Sequence, residues 1–218
     1  MKTALLIGAT GLVGRALLDE LLLNKSFDKV LVFGRRTVGV QHAKLEEHLI
    51  DFDAPNSWKQ LVKGDVLFST LGTTLKQAGG KVAQYKIDYT YQYAFARAAV
   101  DNGVPSYVLV SSPGASPDAK IFYTRMKGEL ERDIRKLTFL SVTFIQPGLL
   151  YGDRIPKRFG EDAAFVVLKA FNTIGLFHGY RPIHGRVVAK AMIRAALKSQ
   201  VGVHTYTLDK VFDLAGER

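Results

Sequence analysis

Tyr123 and Lys127 form the residue pair of this sequence with the clearest capacity for acid–base chemistry. They are four residues apart, so on a helix the phenol and the ammonium lie on one face and can reach the same pocket. A free phenol is a poor proton donor near neutral pH, but a nearby ammonium lowers its pKa by favouring the phenolate. The alternative interpretation is an exposed pair on a helix surface with no chemical role.

Two serines upstream supply a candidate hydroxyl for the same site. Ser111 and Ser112 directly follow an apolar run that ends at Val110, and a Pro-Gly dipeptide comes next. A serine at the carboxyl edge of a parallel sheet lies where ligands bind in such folds, and its hydroxyl can polarise a substrate carbonyl. Ser-Pro-Gly also forms ordinary turns, so turn chemistry is the alternative.

Three glycines near the N-terminus predict a phosphate site. Gly8, Gly11 and Gly14 lie between a short apolar run and a stretch with helical spacing. In that context the first permits a tight turn, the second lets the backbone approach a pyrophosphate, and the third allows a helix to pack closely on a strand. The start of the helix directs its free N–H groups and positive end at the phosphates. The predicted dinucleotide contacts are Gly8, Thr10, Gly11, Leu12, Val13 and Gly14.

The end of the second predicted strand indicates which dinucleotide binds. Sites for NAD commonly place an acidic residue about 20 positions after the glycine turn, whereas this chain has Arg35 and Arg36 there. A carboxylate repels a 2′-phosphate, while a guanidinium pairs with it and can stack on adenine. The predicted cofactor is therefore NADP(H). The alternative is that the two arginines simply follow an exposed strand end.

The elements that must position these residues alternate between short apolar runs and longer helical stretches, which predicts βαβ units and a parallel sheet. The predicted strands cover residues 3–7, 29–33, 45–50, 66–70, 107–110 and 141–145, and one late strand is expected after residue 151. Helices are predicted from about residue 12, over about 82–100 and over 121–136. We expect one α/β domain over residues 1–218, a doubly wound parallel-sheet Rossmann fold. Its cofactor core covers about 1–150, and a small C-terminal substrate lobe of mixed structure covers about 151–218.

Composition excludes several other kinds of site. The chain has 218 residues and no cysteine, which excludes disulfides, thiolate catalysis and cysteine-ligated zinc or iron–sulfur centres. The five histidines lack metal-ligand spacing, so no metal is predicted. No apolar run approaches the length of about 18 residues that a transmembrane helix needs. No secretory signal is recognisable, and we expect a cytoplasmic protein.

The net charge of +10 raises the question of anionic partners. The basic residues are scattered rather than grouped in blocks of five or six, which favours solvated surfaces over a nucleic-acid site. The apolar stretch 165–177 is interpreted as core or pocket wall, with a membrane anchor and an oligomer surface as the alternatives. The expected partners are a small-molecule substrate and, as an option, a second copy of the chain.

The chain resembles the short-chain dehydrogenases/reductases, and more narrowly their atypical branch that includes the Tat-interacting protein. The resemblance covers nearly the whole chain and depends on the order of several motifs. These are GATGLVG at 8–14, GRR at 34–36, LGTT at 71–74, VLVSSPGAS at 108–116, YTRMKGELE at 123–131 and QPGLLYGDR at 146–154.

The resemblance implies a role for each matching residue. Tyr123 would be the proton donor, Lys127 its ribose-binding partner, and Ser112 or Ser111 the hydroxyl that orients the carbonyl. Further cofactor contacts implied by the resemblance are Leu71, Gly72, Thr73, Pro147, Gly148 and Leu149, with Arg154 as a pocket residue. The C-terminal region is shorter than the substrate domains of sugar-nucleotide enzymes, which argues against a nucleotide-sugar substrate.

The leading hypothesis is thus an NADP(H)-dependent oxidoreductase acting on a small carbonyl or alcohol. The first alternative is a protein that binds NADP(H) with little turnover and acts as a redox-sensing regulator or assembly factor. The second is a basic protein that binds nucleic acid directly, which predicts salt-dependent binding.

Overall fold

A computed structural model describes residues 2–152, 181–198 and 200–217 of the protein. Within these residues, seven strands form one fully parallel sheet in the order β3-β2-β1-β4-β5-β6-β9, and β7 pairs with β8 in a separate two-stranded sheet. The strands are β1 Lys2–Ile7, β2 Phe27–Gly34, β3 Leu45–Leu49, β4 Val66–Ser69, β5 Ser106–Val110, β6 Ser141–Gln146, β7 Leu150–Tyr151, β8 Ile183–His184 and β9 Gly202–Thr207.

The interior strands are mostly apolar and largely buried, as expected for a parallel sheet with helices on both faces. The helices are α1 Leu12–Leu23, α2 Pro55–Trp58 with a 3₁₀ turn at Lys59–Leu61, α3 Leu75–Ala78, α4 Lys81–Tyr85, a π-helical segment Lys86–Thr90, α5 Tyr91–Asp101, α6 Phe122–Ile134, α7 Gly185–Lys198 and α8 Asp209–Ala215. One core cluster lies between the sheet and the helices α1, α7 and α8, and the other lies between the sheet and α5 and α6. No helix among the described residues is both long and apolar enough to cross a bilayer.

The strand order places a ligand crevice beside β1. The chain runs outward from β1 to β2 and β3, and then crosses back to place β4 on the other side of β1. Ile7, the last residue of β1, pairs with Phe33 of β2 and with Ser69 of β4, so the loops that follow these strands lie together. Ligands of such sheets bind outside the carboxyl ends of the strands at this reversal of strand order.

The predicted parallel Rossmann fold is confirmed, and the predicted strands agree with the structure to within two residues at each end. The helix expected over about 82–100 is interrupted by the π-helical segment Lys86–Thr90. The late strand expected after residue 151 corresponds to β9, which pairs with β6 in the main sheet, and α7 packs against α1. The described part of the predicted substrate lobe therefore also contributes to the core. Arg154 and the apolar stretch 165–177 lie outside the described residues.

Candidate functional site

The glycine turn after β1 brings three chain segments into close contact. Gly8 has a φ of +86°, and a methyl group at this position would lie 2.7 Å from the Cα of Leu71, in the loop after β4. A methyl group at Gly14 would collide with the carbonyl oxygen of Gly8 and lie 2.6 Å from the Thr70 Oγ1. Only glycine fits at either position, because the turn, the start of α1 and the β4 loop leave no room for a Cβ atom.

The first turn of α1 is open to a ligand. Gly11 is its N-cap, makes no side-chain cap hydrogen bond and uses its own N–H for the Gly8 carbonyl at 2.9 Å. No acidic side chain lies in the first turn of the helix. The N–H groups of this turn and the positive end of the helix dipole therefore suit an anion such as a pyrophosphate.

A first groove extends from the turn toward the end of β2. Its wall contains Thr10 of the turn, the buried ring of Phe52, and both Arg35 and Arg36. The two arginine side chains are exposed and form no ion pair with any residue of the described ranges. No acidic residue from the described part of the chain lines this groove. An apolar floor with guanidinium groups at its rim suits an adenosine that carries a phosphate.

A second groove lies on the other side of the same turn. Its lining residues are Gly11, Leu12, Val13, Thr70, Leu71, Gly72, Thr73, Asp88, Val110, Ser111, Tyr123, Lys127 and Leu150. Leu71 lines both grooves, so the two form one cleft across the carboxyl edge of the sheet. The structure thus brings Tyr123, Lys127 and Ser111 together at one end of the cleft and the arginines to the other.

Tyr123 and Lys127 occupy one face of α6, as their spacing predicts. The Lys127 Nζ lies 5.9 Å from the centroid of the Tyr123 ring. Lys127 is buried, whereas Tyr123 is 39% exposed and so accessible to a ligand. Tyr206 and Lys210 have the same spacing, but Tyr206 lies in β9 and Lys210 in α8, so they share no helix face.

Lys127 is held by a buried carboxylate. Its Nζ lies 3.2 Å from the Asp88 Oδ1, and the two side chains are only 3% and 1% exposed. The other oxygen of Asp88 accepts a hydrogen bond of 2.8 Å from the backbone N–H of Thr73. Burial lowers the pKa of Lys127, but the charges of Asp88, ionised Tyr123 and Glu131 more than offset this effect. The resulting pKa is raised, so the ammonium keeps its charge inside the site.

Sequence reasoning missed Asp88, which lies in the π-helical segment Lys86–Thr90. Its carbonyl oxygen accepts a hydrogen bond of 2.7 Å from the Gln92 Nε2, and Gln92 in turn accepts one of 2.6 Å from the Ser69 hydroxyl at the end of β4. Single π-helical turns occur often at functional sites, where they redirect a side chain. The available signal in the sequence was a carboxylate, Asp88, within a predicted helix of mainly apolar residues.

The two serines after β5 have different surroundings. Ser111 lines the second groove, is buried, and its Oγ has no hydrogen-bond partner among the described residues. Ser112 instead directs its hydroxyl at the carbonyl of Pro113, 3.3 Å away. A buried hydroxyl without a partner is costly unless a ligand or water completes it. Of the two, Ser111 is therefore the one placed to meet a ligand beside Tyr123.

A glycine in α6 fixes the distance between the serine loop and the tyrosine helix. A methyl group at Gly128 would overlap the backbone of Ser116, and the Ser116 N–H donates a 3.2 Å hydrogen bond to the carbonyl of Thr124. The loop after β5 thus lies directly against α6. This contact explains how Ser111 and Lys127 come to line one groove.

The remaining predicted residues lie at the same edge of the sheet. Leu71, Gly72 and Thr73 line the second groove. Pro147, Gly148 and Leu149 follow β6, and the next residue, Leu150, lines that groove. Gln146, at the end of β6, donates a hydrogen bond of 2.8 Å to Glu131 and accepts one of 2.8 Å from Thr207. Its amide thus ties β6 to both α6 and β9.

The sequence matches a known family over most of its length. Residues 8–166 match the family described as NAD(P)H-binding. The mitochondrial protein FMP52 of Eremothecium gossypii is 38% identical over 210 residues, which cover 92% of each chain. The mitochondrial protein fmp52-1 of Aspergillus terreus is 36% identical over 225 residues, covering 99% of this chain and 96% of the relative.

Solved structures share the fold at low sequence identity. The Bordetella bronchiseptica enzyme WbmH, in complex with NAD⁺, superposes with a TM-score of 0.71 at 15% identity, covering 95% of this chain and 75% of that one. The UDP-glucose 4-epimerase of Thermotoga maritima, with UDP-glucose, gives a TM-score of 0.69 at 14% identity, covering 98% and 81%. Similarity at this level shows the fold alone.

The comparisons also correct one expectation. A cytoplasmic protein was expected, but the relatives are named as mitochondrial proteins, which contradicts this expectation. The expectation was wrong because the absence of cysteine and of a secretory signal does not distinguish one reducing compartment from another. The family match, the glycine turn and the cleft agree on the class of ligand. The chain belongs to the NAD(P)H-binding family, together with the FMP52 proteins that it resembles along nearly its whole length.

Proposed function

We propose that the protein is an NADP(H)-dependent oxidoreductase of the atypical short-chain dehydrogenase/reductase type that interconverts a small carbonyl compound and its alcohol. The observation that carries the proposal is the placement of Tyr123, Lys127 and the unpartnered Ser111 hydroxyl in one groove beside the glycine turn. A reduced nicotinamide supplies a hydride when bound, so the protein must supply the proton and hold the carbonyl.

The residues of the second groove divide that work. In the reductive direction, Tyr123 donates its phenolic proton to the carbonyl oxygen, which becomes the alcohol hydroxyl as the hydride reaches the carbon. The Lys127 ammonium stabilises the phenolate left behind, and solvent returns the proton. Ser111 donates a hydrogen bond to the same carbonyl oxygen and so favours the charge that develops there. In sum, one carbonyl, one reduced cofactor and one proton would give one alcohol and one oxidised cofactor.

Asp88 acts as a positioning residue in this scheme. Its contacts with the Lys127 Nζ and the Thr73 N–H fix the ammonium relative to the loop after β4. Because the Asp88 carboxylate lies beside it, Lys127 remains charged at neutral pH although both side chains are buried away from bulk water. The same ammonium is available to the ribose hydroxyls of the cofactor.

The choice of NADP(H) over NAD(H) follows from the first groove. Its rim carries Arg35 and Arg36, and the lining residues that the structure describes include no carboxylate to accept a ribose 2′-hydroxyl. We expect isothermal titration to show tighter binding of NADPH than of NADH. Arg35→Ala should weaken NADPH binding by about tenfold to a hundredfold, the size of a charge-assisted hydrogen bond, and leave NADH binding unchanged.

A second titration and an assay test the chemistry. Tyr123→Phe should bind NADPH like the unaltered protein and lose at least about a hundredfold in turnover, the usual contribution of general acid catalysis. Undiminished turnover in this variant would refute the assignment of the proton donor. NADPH binding with no turnover of any carbonyl compound, but with a cofactor-dependent change in partner binding, would favour a redox-sensing regulator.

A further inference from the structure

A cavity adjoins the second groove at Tyr123. Its lining residues are Thr73, Thr74, Leu75, Lys81, Gln84, Ile121, Phe122 and Tyr123. Thr73 and Tyr123 line both the groove and this cavity, so a molecule in the cavity reaches the phenol directly. The cavity has a volume of about 530 Å³ and is open to solvent on one side. That space suits a small molecule, since pockets for such ligands commonly measure about 300–1,000 Å³.

Most of the cavity wall is apolar and unusually exposed. Leu75 and Ile121 expose 48% and 68% of their surface, and the half-buried ring of Phe122 lies beside them. Single exposed apolar side chains are common, but here they converge on one cavity next to the candidate proton donor. A ligand with an apolar body gains by covering them.

The rim of the cavity carries one positive charge. Among the described residues Lys81 is the only charged one in the lining, and its Nζ lies 5.6 Å from the centroid of the Phe122 ring. This contact holds the ammonium over the apolar wall. Within the described ranges Lys81 forms no ion pair, and no carboxylate lines the cavity to neutralise it. Its charge is therefore available to an anion.

Hydrogen bonds fix this rim relative to the reaction site. Gln84 is only 4% exposed, and its Nε2 donates a hydrogen bond of 3.2 Å to the carbonyl oxygen of Thr73. The N–H of Thr73 is in turn held by Asp88, the partner of Lys127. The start of α4, which carries Lys81, is thus tied to the elements that carry the proton donor.

We propose that the substrate is a carbonyl compound with an apolar body and a carboxylate group that pairs with Lys81 while the carbonyl lies at Tyr123. A single ammonium, with no other cation among the described lining residues, suits a carboxylate, whereas a phosphate is better held by several donors. This inference rests on the proposed reductase function and adds the substrate class to it.

The test uses a matched pair of probes, 4-formylbenzoate and its neutral methyl ester. With NADPH present, the acid should be reduced with the higher kcat/KM. Lys81→Gln should raise the KM of the acid about fivefold, the size of an exposed ion pair, and leave the ester unchanged. Lys76→Gln, a variant of an exposed lysine of α3 outside the cavity lining, is the control and should change neither probe.

Calorimetry separates this inference from the proposed function. Both probes are titrated into protein saturated with NADP⁺, with no turnover required. Binding of the acid that weakens in Lys81→Gln supports the cavity assignment even if neither probe is reduced, and that lack of reduction would count against the reductase function alone. Equal affinity for acid and ester, an unaltered acid affinity in Lys81→Gln, or no binding of the acid at about 10 mM, beyond the millimolar range of weak specific binding, would overturn the inference.

Discussion

Replacing Asp88 with asparagine should destabilise the protein strongly and make its stability depend on pH. The asparagine side chain is nearly the same size, and its amide oxygen can still accept from the Thr73 N–H, so the change removes chiefly the charge opposite Lys127. In the native protein that charge lies 3.2 Å from the Lys127 Nζ, and neither side chain is more than 3% exposed. Two unit charges at this distance attract by about 5 kcal/mol at an effective dielectric constant of about 20.

The loss of unfolding free energy expected for Asp88→Asn has a lower and an upper bound. Breaking a buried ion pair by removing one partner costs about 3–5 kcal/mol. The upper bound is set by deprotonation of Lys127, because a neutral amine needs no partner charge. From a normal pKa of 10.5, deprotonation costs about 1.4 kcal/mol per pH unit, or about 5 kcal/mol at pH 7 and about 2 kcal/mol at pH 9. The variant should therefore lose about 3–5 kcal/mol at pH 7 and about 2 kcal/mol at pH 9.

The sign of the pH dependence follows from proton binding. In the native protein the pKa of Lys127 is raised, so folded and unfolded chains both bind this proton between pH 6 and 9, and the group adds no slope. Without Asp88, burial lowers the pKa of Lys127 in the folded state. The unfolded chain then binds more protons, and the stability of the variant rises with pH.

Urea unfolding at pH 6, 7, 8 and 9, followed by circular dichroism, measures both effects. The matched control is Asp53→Asn, because Asp53 also pairs with a lysine, Lys86, at 2.7 Å, but with both side chains about half exposed. The control should behave like the native protein at every pH. A loss below about 1 kcal/mol in Asp88→Asn at pH 7, or a loss that does not shrink toward pH 9, would refute the reasoning.

Four further variants test other contacts of the site and its supporting helix. Gly14→Ala should lower the free energy of unfolding by about 1–3 kcal/mol and abolish NADPH binding, because the added methyl group collides with the Gly8 carbonyl; normal titration of NADPH would contradict this. Ser111→Ala should lower turnover with little effect on stability, whereas Ser112→Ala should leave turnover unchanged. Steady-state kinetics measure both, and a larger loss of turnover in Ser112→Ala would show that the assignment of Ser111 to the carbonyl is wrong. Asp133→Asn should flatten the loss of stability between pH 4 and 2, since its hydrogen bond from Arg132 outweighs burial and, with Lys136 and Tyr89, lowers the pKa of this carboxyl in the folded state. A carboxyl whose pKa is lowered by folding stabilises the protein above its unfolded pKa, and this stability is lost as the pH falls toward the folded pKa. The measurement is an acid titration of the native protein and the variant, followed by circular dichroism. Equal losses of stability in the two proteins would show that the contacts of Asp133 are unimportant.

The cofactor half of the site was predictable because its parts are adjacent along the chain. β1, the glycine turn and α1 form one continuous segment, and the spacing of Gly8, Gly11 and Gly14 reports contacts within it. Arg35 and Arg36 follow β2, the next strand of the same unit. The geometry of such a segment is largely determined by residues close together in the sequence. Little information on tertiary contacts was therefore needed to predict this half of the site.

The other half depends on contacts between distant segments. Asp88 and Lys127 are 39 residues apart and meet only because a π-helical turn rotates Asp88 toward α6, and no local pattern in the sequence announces that turn. Choosing between Ser111 and Ser112 required the position at which β5 ends, since adjacent residues there face opposite ways. The pairing of β9 with β6 was also missed, because the residues that pair in the two strands are about 60 positions apart in the sequence.

The packing of α7 against α1 has a consequence for the order in which the chain can fold during synthesis. The apolar face of α1, with Leu17 and Leu21, is buried in the same cluster as Val188 and Met192 of α7. About 160 residues separate the two helices. A ribosome that adds about 5–20 residues per second therefore completes α7 roughly 10–30 s after α1, whose apolar face α7 covers. During that interval the first βαβ unit, although complete in sequence and able to form its phosphate turn, presents an uncovered apolar surface. The segment that forms the glycine turn is thus synthesised first, and the helix that covers its apolar face is among the last to be made.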